Sequence, residues 1–228
     1  MRVAIYYAPA PGHPLADAAA RWLGRDAFAG SDVAIERSPG LADDLLDALV
    51  AEPRRYGFHA TLKAPFRLAG ARTIDELSAA LARFCAARDP VPLGSLAIAA
   101  IDDFVALVPA VDDSALRILA AEVVRDFEAF RAPLTGDEER RRLAEGLSPR
   151  QQANLRKFGY PHVFEDFRFH LTLASRVPED RRSLVISMLH DRFKSHLGST
   201  PLVDSLALFV EPEPGAAFVA ADRFAFGS

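Results

Sequence analysis

Two short segments in different halves of the chain share one pattern, and this pattern constrains the fold more than any other feature. Residues 56–62 read Tyr-Gly-Phe-His-Ala-Thr-Leu, and residues 167–173 read Phe-Arg-Phe-His-Leu-Thr-Leu. In both segments apolar residues alternate with polar ones at the two-residue period of a half-buried strand. The pattern therefore predicts two strands, each with a histidine and a threonine on the face opposite its aromatic residues.

The doubled His-x-Thr tripeptide identifies four candidate site residues. Given the six histidines and five threonines in 228 residues, chance predicts about 0.13 such tripeptides, and the chain contains two. A single copy is equally well explained by a histidine that bonds to its neighbours within a sheet, but a pair is much harder to explain in that way. The candidates are His59, Thr61, His170 and Thr172.

The composition is that of an ordinary soluble globular protein and argues against some functions. Half of the residues are hydrophobic and a quarter are charged, with a net charge of -4. This charge argues against a dedicated duplex-DNA binder, whereas a local cluster of basic residues would still serve a small anionic substrate. The single cysteine, Cys85, excludes a disulfide framework and a thiolate metal site, and it is expected in the core. No apolar run reaches transmembrane length and the first residues do not resemble a signal peptide, so a cytoplasmic protein is expected.

The order of the expected elements suggests an internal duplication. A strand, a helix, a His-x-Thr strand, a helix and a strand are expected over residues 3–101, and the same order returns over residues 104–210. We therefore expect an α+β fold in a single bilobal domain over residues 1–228, with lobes at about 1–102 and 103–228 that could exchange strands. Helices would cover the outer faces of mixed or antiparallel sheets, and the two histidine faces would meet across a central cleft.

Local signals predict several helix boundaries. The charged helices expected within residues 131–162 hold few large apolar residues, and we interpret this segment as a surface or lid-like insertion. Pro53 is expected to end the helix that begins near Leu41. Three capping boxes are predicted where Ser or Thr is followed three residues later by Glu or Gln. They begin at Thr73, Thr135 and Ser148.

Two histidines on opposite sides of a cleft suit acid–base chemistry near neutral pH. One imidazole can accept a proton from water or a hydroxyl group while the other donates a proton to a leaving oxygen. Each threonine hydroxyl can donate a hydrogen bond to a non-bridging oxygen of an anion held between them. Lys63 and Arg168 follow the alternation of the motif strands, so both are expected on the histidine faces, where they would neutralise that anion. A phosphodiester that is cleaved without a metal fits such a site best.

Other chemistries find less support in the sequence. A zinc site usually has three or four protein ligands, and His162, eight residues before His170, completes no zinc-binding pattern, so a metal is a minor alternative. The chain contains no Gly-x-Ser-x-Gly nucleophile elbow, no Walker loop and no Gly-x-Gly-x-x-Gly segment, so serine hydrolysis and nucleotide cofactors lack support. No cofactor is expected. The basic helix near Arg150 and Arg156 is interpreted as a solvated face, with a role over the cleft as the less favoured alternative.

The paired motifs resemble the signature of the two-histidine (2H) phosphoesterase superfamily, which includes RNA 2′,3′-cyclic phosphodiesterases and ligase-like relatives. Residues 54–66 and 167–173 resemble more closely the branch of this superfamily that is associated with bacterial phosphonate-utilisation operons. Residues 4–9 and 209–211 are also similar, so the resemblance extends over essentially the whole chain.

This resemblance implies a bilobal fold with pseudo-two-fold symmetry and a metal-independent reaction on a cyclic phosphodiester. His59 and His170 would be the acid–base pair, and Thr61 and Thr172 would bind the phosphate. The quasi-symmetry of the motifs leaves the division of labour open. We expect His170 to be the base and His59 the acid.

The substrate that the resemblance implies is small and phosphorylated. The operon context of the branch suggests a phosphorylated ribose, such as a ribosyl 1,2-cyclic phosphate. Tyr56, Lys63 and Arg168 are the candidate substrate-binding residues. Hydrolysis of phosphodiesters at RNA ends is a second hypothesis, against which the acidic net charge weighs, and a non-catalytic phosphate-binding protein is a third. The protein is expected to be a monomer without a membrane partner.

Overall fold

Helices and strands alternate along the chain in a computed structural model that describes residues 1–111 and 114–227. The helices are α1 (Pro14–Leu23), α2 (Asp43–Tyr56), α3 (Ile74–Ala86), α4 (Ser114–Asp126), α5 (Gly136–Leu143), α6 (Pro149–Phe158) and α7 (Arg182–Leu197). The strands are β1 (Arg2–Tyr7), β2 (Arg25–Asp26), β3 (Ser31–Asp32), β4 (Ala60–Phe66), β5 (Val91–Pro92), β6 (Leu96–Ile101), β7 (Phe104–Pro109), β8 (Leu171–Ala174), β9 (Leu202–Val203), β10 (Ser205–Glu211) and β11 (Val219–Ala225). The strands pair antiparallel, and the expected α+β class is confirmed. Over the described ranges, none of the helices combines the length and the apolar character needed to cross a membrane.

The larger sheet joins the two ends of the chain. Its strands lie in the order β11–β10–β1–β4, so β1 is flanked by a strand from near the C-terminus and by the strand of the first motif. β1 is almost completely buried because apolar residues cover both of its faces. Val3, Ile5 and Tyr7 belong to the main hydrophobic core with Trp22, whereas Tyr6 lies in a smaller apolar cluster. The sheet therefore separates the main core from the face on which Tyr6 lies.

The second motif belongs to a smaller sheet with the strand order β6–β7–β8. β6 and β7 form a hairpin whose turn is at Asp102 and Asp103, and Asp102 adopts a φ of 52°. Helix α7 packs against β6, and α2 packs against β8. Because α2 also leads directly into the first motif, it brings the two motif strands together.

A β-bulge follows the threonine of the first motif. Thr61 is paired with Tyr6 but Lys63 is paired with Ile5, so β4 has one residue more than β1 across this step. Successive side chains point to opposite faces of a strand, and an extra residue reverses this alternation. Lys63 consequently lies on the core face and is buried, and the expectation that it shares the face of His59 is wrong.

The second motif strand bulges at the corresponding place. Thr172 is paired with Ala106 and Ala174 is paired with Val105, again with one extra residue on the motif strand. The carbonyl of Leu173, between the two paired residues, accepts a hydrogen bond of 2.7 Å from the indole N–H of the tryptophan in α1. The two motif strands therefore have the same register relative to their neighbours.

Helix α2 continues through Pro53 to Tyr56, so the expectation that this proline ends the helix is wrong. A proline has no N–H group to donate to the carbonyl four residues earlier, which here is that of Leu49. That carbonyl accepts instead the backbone N–H of Ser175, directly after β8, at 2.9 Å. The tertiary hydrogen bond satisfies the freed carbonyl, and it links the helix before the first motif to the strand of the second.

The segment between α4 and β8 folds into α5 and α6, which pack against each other. Both helices begin with the capping boxes that the sequence predicts, as does α3. α5 buries none of its residues and α6 buries only Leu155, in agreement with their polar sequences. These helices are therefore held more by capping and by surface contacts than by the core.

Candidate active site

The four motif residues meet in one cleft. His59, Thr61, His170 and Thr172 all line a cavity of about 300 Å³. Other side chains of its wall are those of Arg2, Tyr6, Glu52, Tyr56, Asp103, Phe104, Arg142, Tyr160 and Ser175. The fold thus brings together side chains from the two halves of the chain.

Both histidine rings are held in the same way. Nδ1 of His59 lies 2.9 Å from the carbonyl oxygen of Gly57, and Nδ1 of His170 lies 2.7 Å from that of Arg168. Because a carbonyl only accepts, Nδ1 carries the hydrogen in the neutral ring and Nε2 remains as the acceptor. Each motif therefore uses the carbonyl two residues before its histidine to leave Nε2 available for a ligand.

The anchor of the first histidine requires a glycine. Gly57 follows α2 with a φ of 75°, in the left-handed region that favours glycine. A Cβ atom at this position would also overlap the Cβ atom of Ala27. A side chain at residue 57 would therefore displace the carbonyl that orients His59.

An aromatic ring packs against each histidine, but the two contacts differ. The ring of Tyr6 is stacked on that of His59, with centroids 3.9 Å apart and planes inclined by 24°. Phe104 lies beside His170, with centroids 5.1 Å apart and planes inclined by 46°. Tyr6 reaches His59 because it is paired with Thr61 in the sheet. Neither ring could be predicted from the motif sequences, since alternation within one segment does not reveal which strand lies next to it.

Burial lowers the pKa of both histidines. Loss of hydration disfavours the imidazolium form and lowers the pKa of His59 from 6.5 to about 4, while the hydrogen bond to Gly57 opposes the shift and repulsion from His170 adds to it. The pKa of His170 is also lowered, mainly by burial and against the effect of its bond to Arg168. Without a bound anion, both rings are therefore neutral at pH 7, and the shift is larger at His59.

Hydroxyl groups lie beside the imidazoles. Oγ1 of Thr61 is 3.3 Å from Nε2 of His59, so the two groups can contact the same ligand. Thr172 lines the cleft from β8. The hydroxyl oxygen of Ser175 is buried and has no hydrogen-bond partner within the described residues, although this residue lines the cleft. Because buried polar atoms nearly always have a partner, this oxygen is expected to bond to a water molecule or a ligand in the cleft.

A buried carboxylate organises the rim of the cleft. Glu211 on β10 pairs with both Arg2 and Arg55, and Nη2 of Arg2 lies 2.9 Å from its Oε1. Burial alone would raise the pKa of Glu211, but hydrogen bonds from Arg2, the backbone of Gly215 and Arg55 outweigh this effect and lower the pKa to about 2. Arg2 also lines the cleft. The buried carboxylate therefore holds a guanidinium next to the motif residues, which no local sequence pattern indicated.

Lys63 lies outside the cleft. Its Nζ donates to Oε2 of Glu128 at 2.9 Å and to the carbonyl oxygen of Val124 at 3.0 Å, on the side of β4 where α4 packs. Burial lowers the pKa of Lys63, although the bond to Glu128 opposes the shift. The bulge after Thr61 places Lys63 on the face of β4 that points away from the cleft. The expected contact between Lys63 and substrate is corrected accordingly.

The other two predicted substrate contacts lie in or beside the cleft. Tyr56, the last residue of α2, lines it with a ring centroid 5.9 Å from that of His59. Arg168 lies in a segment that precedes β8 and is not part of the strand, which begins at Leu171. Its side chain lines a second cavity of about 490 Å³ that shares four residues with the cleft. Arg168 therefore shares the second cavity with Thr61 and His170 but does not line the cleft in which all four motif residues meet.

The segment 131–162 forms part of the cleft wall. Arg142, near the end of α5, and Tyr160, after α6, line the cleft, and burial raises the pKa of Tyr160. Arg150 on α6 makes hydrogen bonds of 2.8 and 2.9 Å to Asp166 and lines the adjoining cavity. This segment thus contributes cationic and phenolic groups at the site.

The polar groups that line the cleft are imidazoles, hydroxyl groups, phenols, guanidinium groups and the carboxylates of Glu52 and Asp103. In the described part of the chain, no three histidine, cysteine, aspartate or glutamate residues are grouped so that they could hold a metal ion. His162, which the sequence analysis considered as a further metal ligand, lines the adjoining cavity.

Comparison with known proteins finds one family and two similar curated proteins. The model of a family described as "protein of unknown function (DUF1045)" matches residues 61–219. A protein of Janthinobacterium sp. (strain Marseille), named ribose 1,5-bisphosphate phosphokinase PhnN, is 36% identical over 229 residues, which cover 99% of this chain and 51% of that protein. A protein of the same name from Laribacter hongkongensis (strain HLHK9) is 38% identical over 218 residues, which cover 96% of this chain and 50% of that protein. The chain spans about half the length of the curated relatives it matches.

Proposed function

The chain belongs to the DUF1045 family, and we propose that it is a metal-independent cyclic phosphodiesterase of the two-histidine type. The observation that carries this proposal is the equivalent anchoring of His59 and His170 in one cleft, each through Nδ1. In-line displacement at phosphorus places the attacking and leaving oxygens on opposite sides of the phosphate, so it needs a proton acceptor and a proton donor there. Two imidazoles held in this way supply both.

The matching irregularities of the two halves support a duplicated fold of the 2H type. Thr61 and Thr172 each stand directly before a β-bulge in the motif strand, at corresponding points of the register. Bulges are positional features of a fold, so their coincidence favours a common origin of the two halves. The strands β10 and β11 join the sheet of the first motif, which fits two lobes that exchange strands.

We assign the general base to His59 and the general acid to His170, the reverse of the expectation from the sequence. A base must start neutral, and a pKa of about 4 keeps His59 neutral throughout the physiological range. An acid must start protonated, and the pKa of His170 is lowered less strongly. The negative charge of a bound phosphate raises the pKa of a nearby imidazole, so His170 regains its proton more readily.

In the proposed reaction, Nε2 of His59 removes a proton from water as the water oxygen attacks the phosphorus atom of the cyclic phosphodiester. A ring P–O bond breaks on the opposite side, and the leaving oxygen takes a proton from Nε2 of His170. The products are a phosphomonoester and a free hydroxyl group on the same molecule. Thr61 and Thr172 donate hydrogen bonds to the non-bridging oxygens, where negative charge is concentrated during the displacement.

A cyclic phosphate of ribose is the proposed substrate. The curated relatives are named for a kinase of ribose 1,5-bisphosphate, and this chain corresponds to about half of their length. It has no Walker loop, so we assign to this half a reaction other than phosphoryl transfer from a nucleotide. The resemblance to the phosphonate-operon branch supports the same class of sugar phosphate. The aromatic wall of the cleft and its volume of about 300 Å³ suit a small sugar ring.

A panel of cyclic phosphodiesters tests this function. Ribose 1,2-cyclic phosphate, nucleoside 2′,3′-cyclic phosphates and RNA with a 2′,3′-cyclic end are incubated with the protein, with and without excess EDTA, and followed by phosphorus NMR. The ribose compound is expected to be hydrolysed fastest, at a rate that EDTA does not change.

Three outcomes would contradict the proposal in different ways. Activity that EDTA abolishes and one divalent ion restores would contradict the two-histidine mechanism. A preference for RNA ends would assign the protein to RNA-end phosphodiesterases. Binding of the cyclic phosphates without any turnover would make it a phosphate-binding protein.

A further inference from the structure

A small cavity lined by arginines adjoins the candidate active site. It has a volume of about 50 Å³, and its wall contains five arginines but only one carboxylate, that of Glu138. The chain as a whole has a net charge of -4, so this concentration of positive charge is a local feature. We call this cavity the arginine pocket, and its arginines are Arg2, Arg67, Arg131, Arg141 and Arg142.

The arginine pocket is continuous with the cleft. Arg2, Ala64, Arg142 and Tyr160 line both cavities. Ala64 follows Thr61 by three residues on β4, which corresponds to about 10 Å at the rise of a strand. A ligand that contacts both the motif residues and the arginine pocket must therefore be several ångströms long, which a sugar that carries a phosphate at each end satisfies.

The positive charge of the pocket is only partly neutralised by carboxylates. Glu128 is shared by Lys63 and Arg131, just as Glu211 is shared by two arginines at the rim. In each cluster two cations meet one carboxylate, so one positive charge remains. Oε1 of Glu128 accepts hydrogen bonds of 2.9 and 2.6 Å from Arg131, while Oε2 accepts one from Lys63. Lys63 is thus a positioning residue that acts on Arg131 through a shared carboxylate.

The other arginines of the pocket are only partly paired with carboxylates, so further positive charge is available to a ligand. Arg67 pairs with Glu138 at 3.1 Å, and Arg142 makes a longer contact of 3.3 Å with Glu145. Arg141 forms no ion pair with any residue in the ranges that the structure describes. A recess that holds several like charges raises the local concentration of oppositely charged ligands. The arginine pocket is therefore suited to an anion.

We propose that the arginine pocket binds a phosphomonoester group of the substrate while the histidines act on its cyclic phosphate. The proposal rests on the proposed function and adds a second anionic group to the substrate. The guanidinium group suits this role because it can donate two parallel hydrogen bonds to a phosphate. A cavity of about 50 Å³ accepts a group of a few heavy atoms but not a sugar ring, since a single water needs on the order of 10–15 Å³. The sugar then lies in the cleft.

This assignment specifies the substrate as a ribose 1,2-cyclic phosphate that carries a further phosphate on the C5 oxygen. Water adds to the cyclic phosphorus and the bond to the C2 oxygen breaks, so the C2 hydroxyl is released and the phosphate stays on C1. The product is ribose 1,5-bisphosphate, the compound in the names of the curated relatives. The reaction would therefore supply a kinase of that class with its substrate.

Matched substrates and variants test the arginine pocket. The values of kcat/KM are measured for ribose 1,2-cyclic phosphate with and without the C5 phosphate. The protein is expected to prefer the doubly phosphorylated compound by at least about tenfold, the effect of one charge-assisted hydrogen bond. Arg141→Ala and the double variant Arg141→Ala/Arg142→Ala should reduce this preference step by step. Arg141→Lys should restore part of it, because it keeps the charge but not the planar fork.

A matched control lies on the same helix. Arg140 pairs with Asp137 on the exposed face of α5 and lines neither the cleft nor the arginine pocket. Arg140→Ala should therefore leave the preference unchanged. If Arg140→Ala reduces the preference as much as Arg141→Ala does, the effect comes from general charge and the assignment of the pocket is wrong.

Binding of ribose 5-phosphate, measured by calorimetry against ribose, separates this proposal from the proposed function. If ribose 5-phosphate binds and the Arg141→Ala/Arg142→Ala variant loses that binding, the pocket is supported even when no cyclic phosphate is hydrolysed. If both cyclic phosphates are hydrolysed equally well, the pocket is overturned while the phosphodiesterase stands. If ribose 5-phosphate binds no better than ribose, the pocket is likewise overturned.

Discussion

The two motif segments share a local backbone but differ in their surroundings. Each orients its histidine through the carbonyl two residues earlier, and each bulges directly after its threonine. The ring of His59 is stacked on Tyr6 at 3.9 Å, whereas His170 and Phe104 are 5.1 Å apart and more inclined. A repeated element can therefore keep the orientation of a side chain while its neighbours set the protonation state.

The asymmetry has its origin in the sheets. The first motif lies in a sheet that includes two strands from near the C-terminus, and one of them, β10, brings Phe209 to a centroid distance of 6.2 Å from His59. The second motif lies in the smaller sheet without these strands. More of the chain thus covers His59, which explains why burial lowers its pKa further than that of His170.

Removal of either imidazole should have the largest effect. His59→Ala and His170→Ala are each expected to lower the rate of cyclic phosphodiester hydrolysis by at least about 100-fold, because each removes a proton-transfer group. The double variant should lose much less than the product of the two effects, since the residues act as a unit. Steady-state kinetics of the purified variants provides the measurement.

The matched control for these variants is His190→Ala, because His190 is exposed on α7. It should leave the rate unchanged. Near-normal activity in either motif variant would show that its histidine is structural, and the equivalence of the two halves would then not extend to catalysis.

The stability of the protein should depend on pH through the first histidine more than the second. The pKa of His59 is about 4 in the folded protein and 6.5 in the unfolded chain, so the folded state binds fewer protons between these values. This contribution to the free energy of unfolding is fully present above pH 6.5 and is lost as the pH falls towards 4. At about 1.36 kcal/mol for each pKa unit it amounts to about 3 kcal/mol in full, of which about 2 kcal/mol is lost between pH 7 and pH 4.5.

Urea unfolding at pH 7 and pH 4.5 measures this contribution. His59→Gln should lose about 2 kcal/mol less than the wild type between these pH values. His170→Gln should change the pH dependence less. An equal effect of the two substitutions on the pH dependence of stability would show that the two histidines are equally buried.

The aromatic neighbours should matter unequally. Tyr6→Leu removes the stacked ring but keeps an apolar side chain, and it should raise the pKa of His59 towards 6.5 by admitting water. It should also lower kcat/KM by roughly threefold to tenfold, given the contribution of an aromatic pair. Phe104→Leu should have a smaller effect on His170. Imidazole titration by NMR checks both pKa values. A larger change of the pKa of His170 in Phe104→Leu than of His59 in Tyr6→Leu would contradict this prediction.

The smallest predicted effect concerns a position at which the two motifs differ. The third residue after the motif threonine is Ala64 in the first half and Ser175 in the second. The Ser175 hydroxyl has no partner within the described residues, so Ser175→Ala should leave the free energy of unfolding almost unchanged. It should lower kcat/KM by roughly twofold to tenfold if the hydroxyl binds substrate. Lost stability with unchanged kinetics would mean that the hydroxyl bonds to the protein itself.

Local patterns in the sequence were sufficient to identify the residues that the cleft brings together. The alternation around His59 and His170 depends only on neighbours in the chain, and so do the three capping boxes. The α+β class also followed from the order of the elements, which left mixed and antiparallel sheets as alternatives. Each of these features is determined by interactions within a few residues or by general rules of strand connection.

Features that depend on distant segments could not be predicted in this way. The position of Lys63 depends on a bulge that is defined only by its pairing with β1. Helix α2 continues through Pro53 because the carbonyl of Leu49 accepts a hydrogen bond from the backbone N–H of Ser175, directly after β8. Tyr6 and Arg2 lie in a first strand whose pattern indicated only burial, and their roles arise from the partners that the sheet places beside them.

The dependence of kcat/KM on pH, in metal-free buffer, tests the division of labour between the two histidines most directly, because it reports the essential acid and base of the free enzyme. A bell-shaped profile with its optimum on the acidic side of neutrality is expected. The acidic limb belongs to His59, near pH 4, and the basic limb belongs to His170, below pH 6.5.

The same profile in the two single variants completes the measurement. His59→Ala should lose the acidic limb and His170→Ala the basic limb. Loss of the opposite limb in each variant would reverse the assignment of base and acid. A bell-shaped profile that persists unchanged in both variants would contradict the claim that these two histidines transfer the protons.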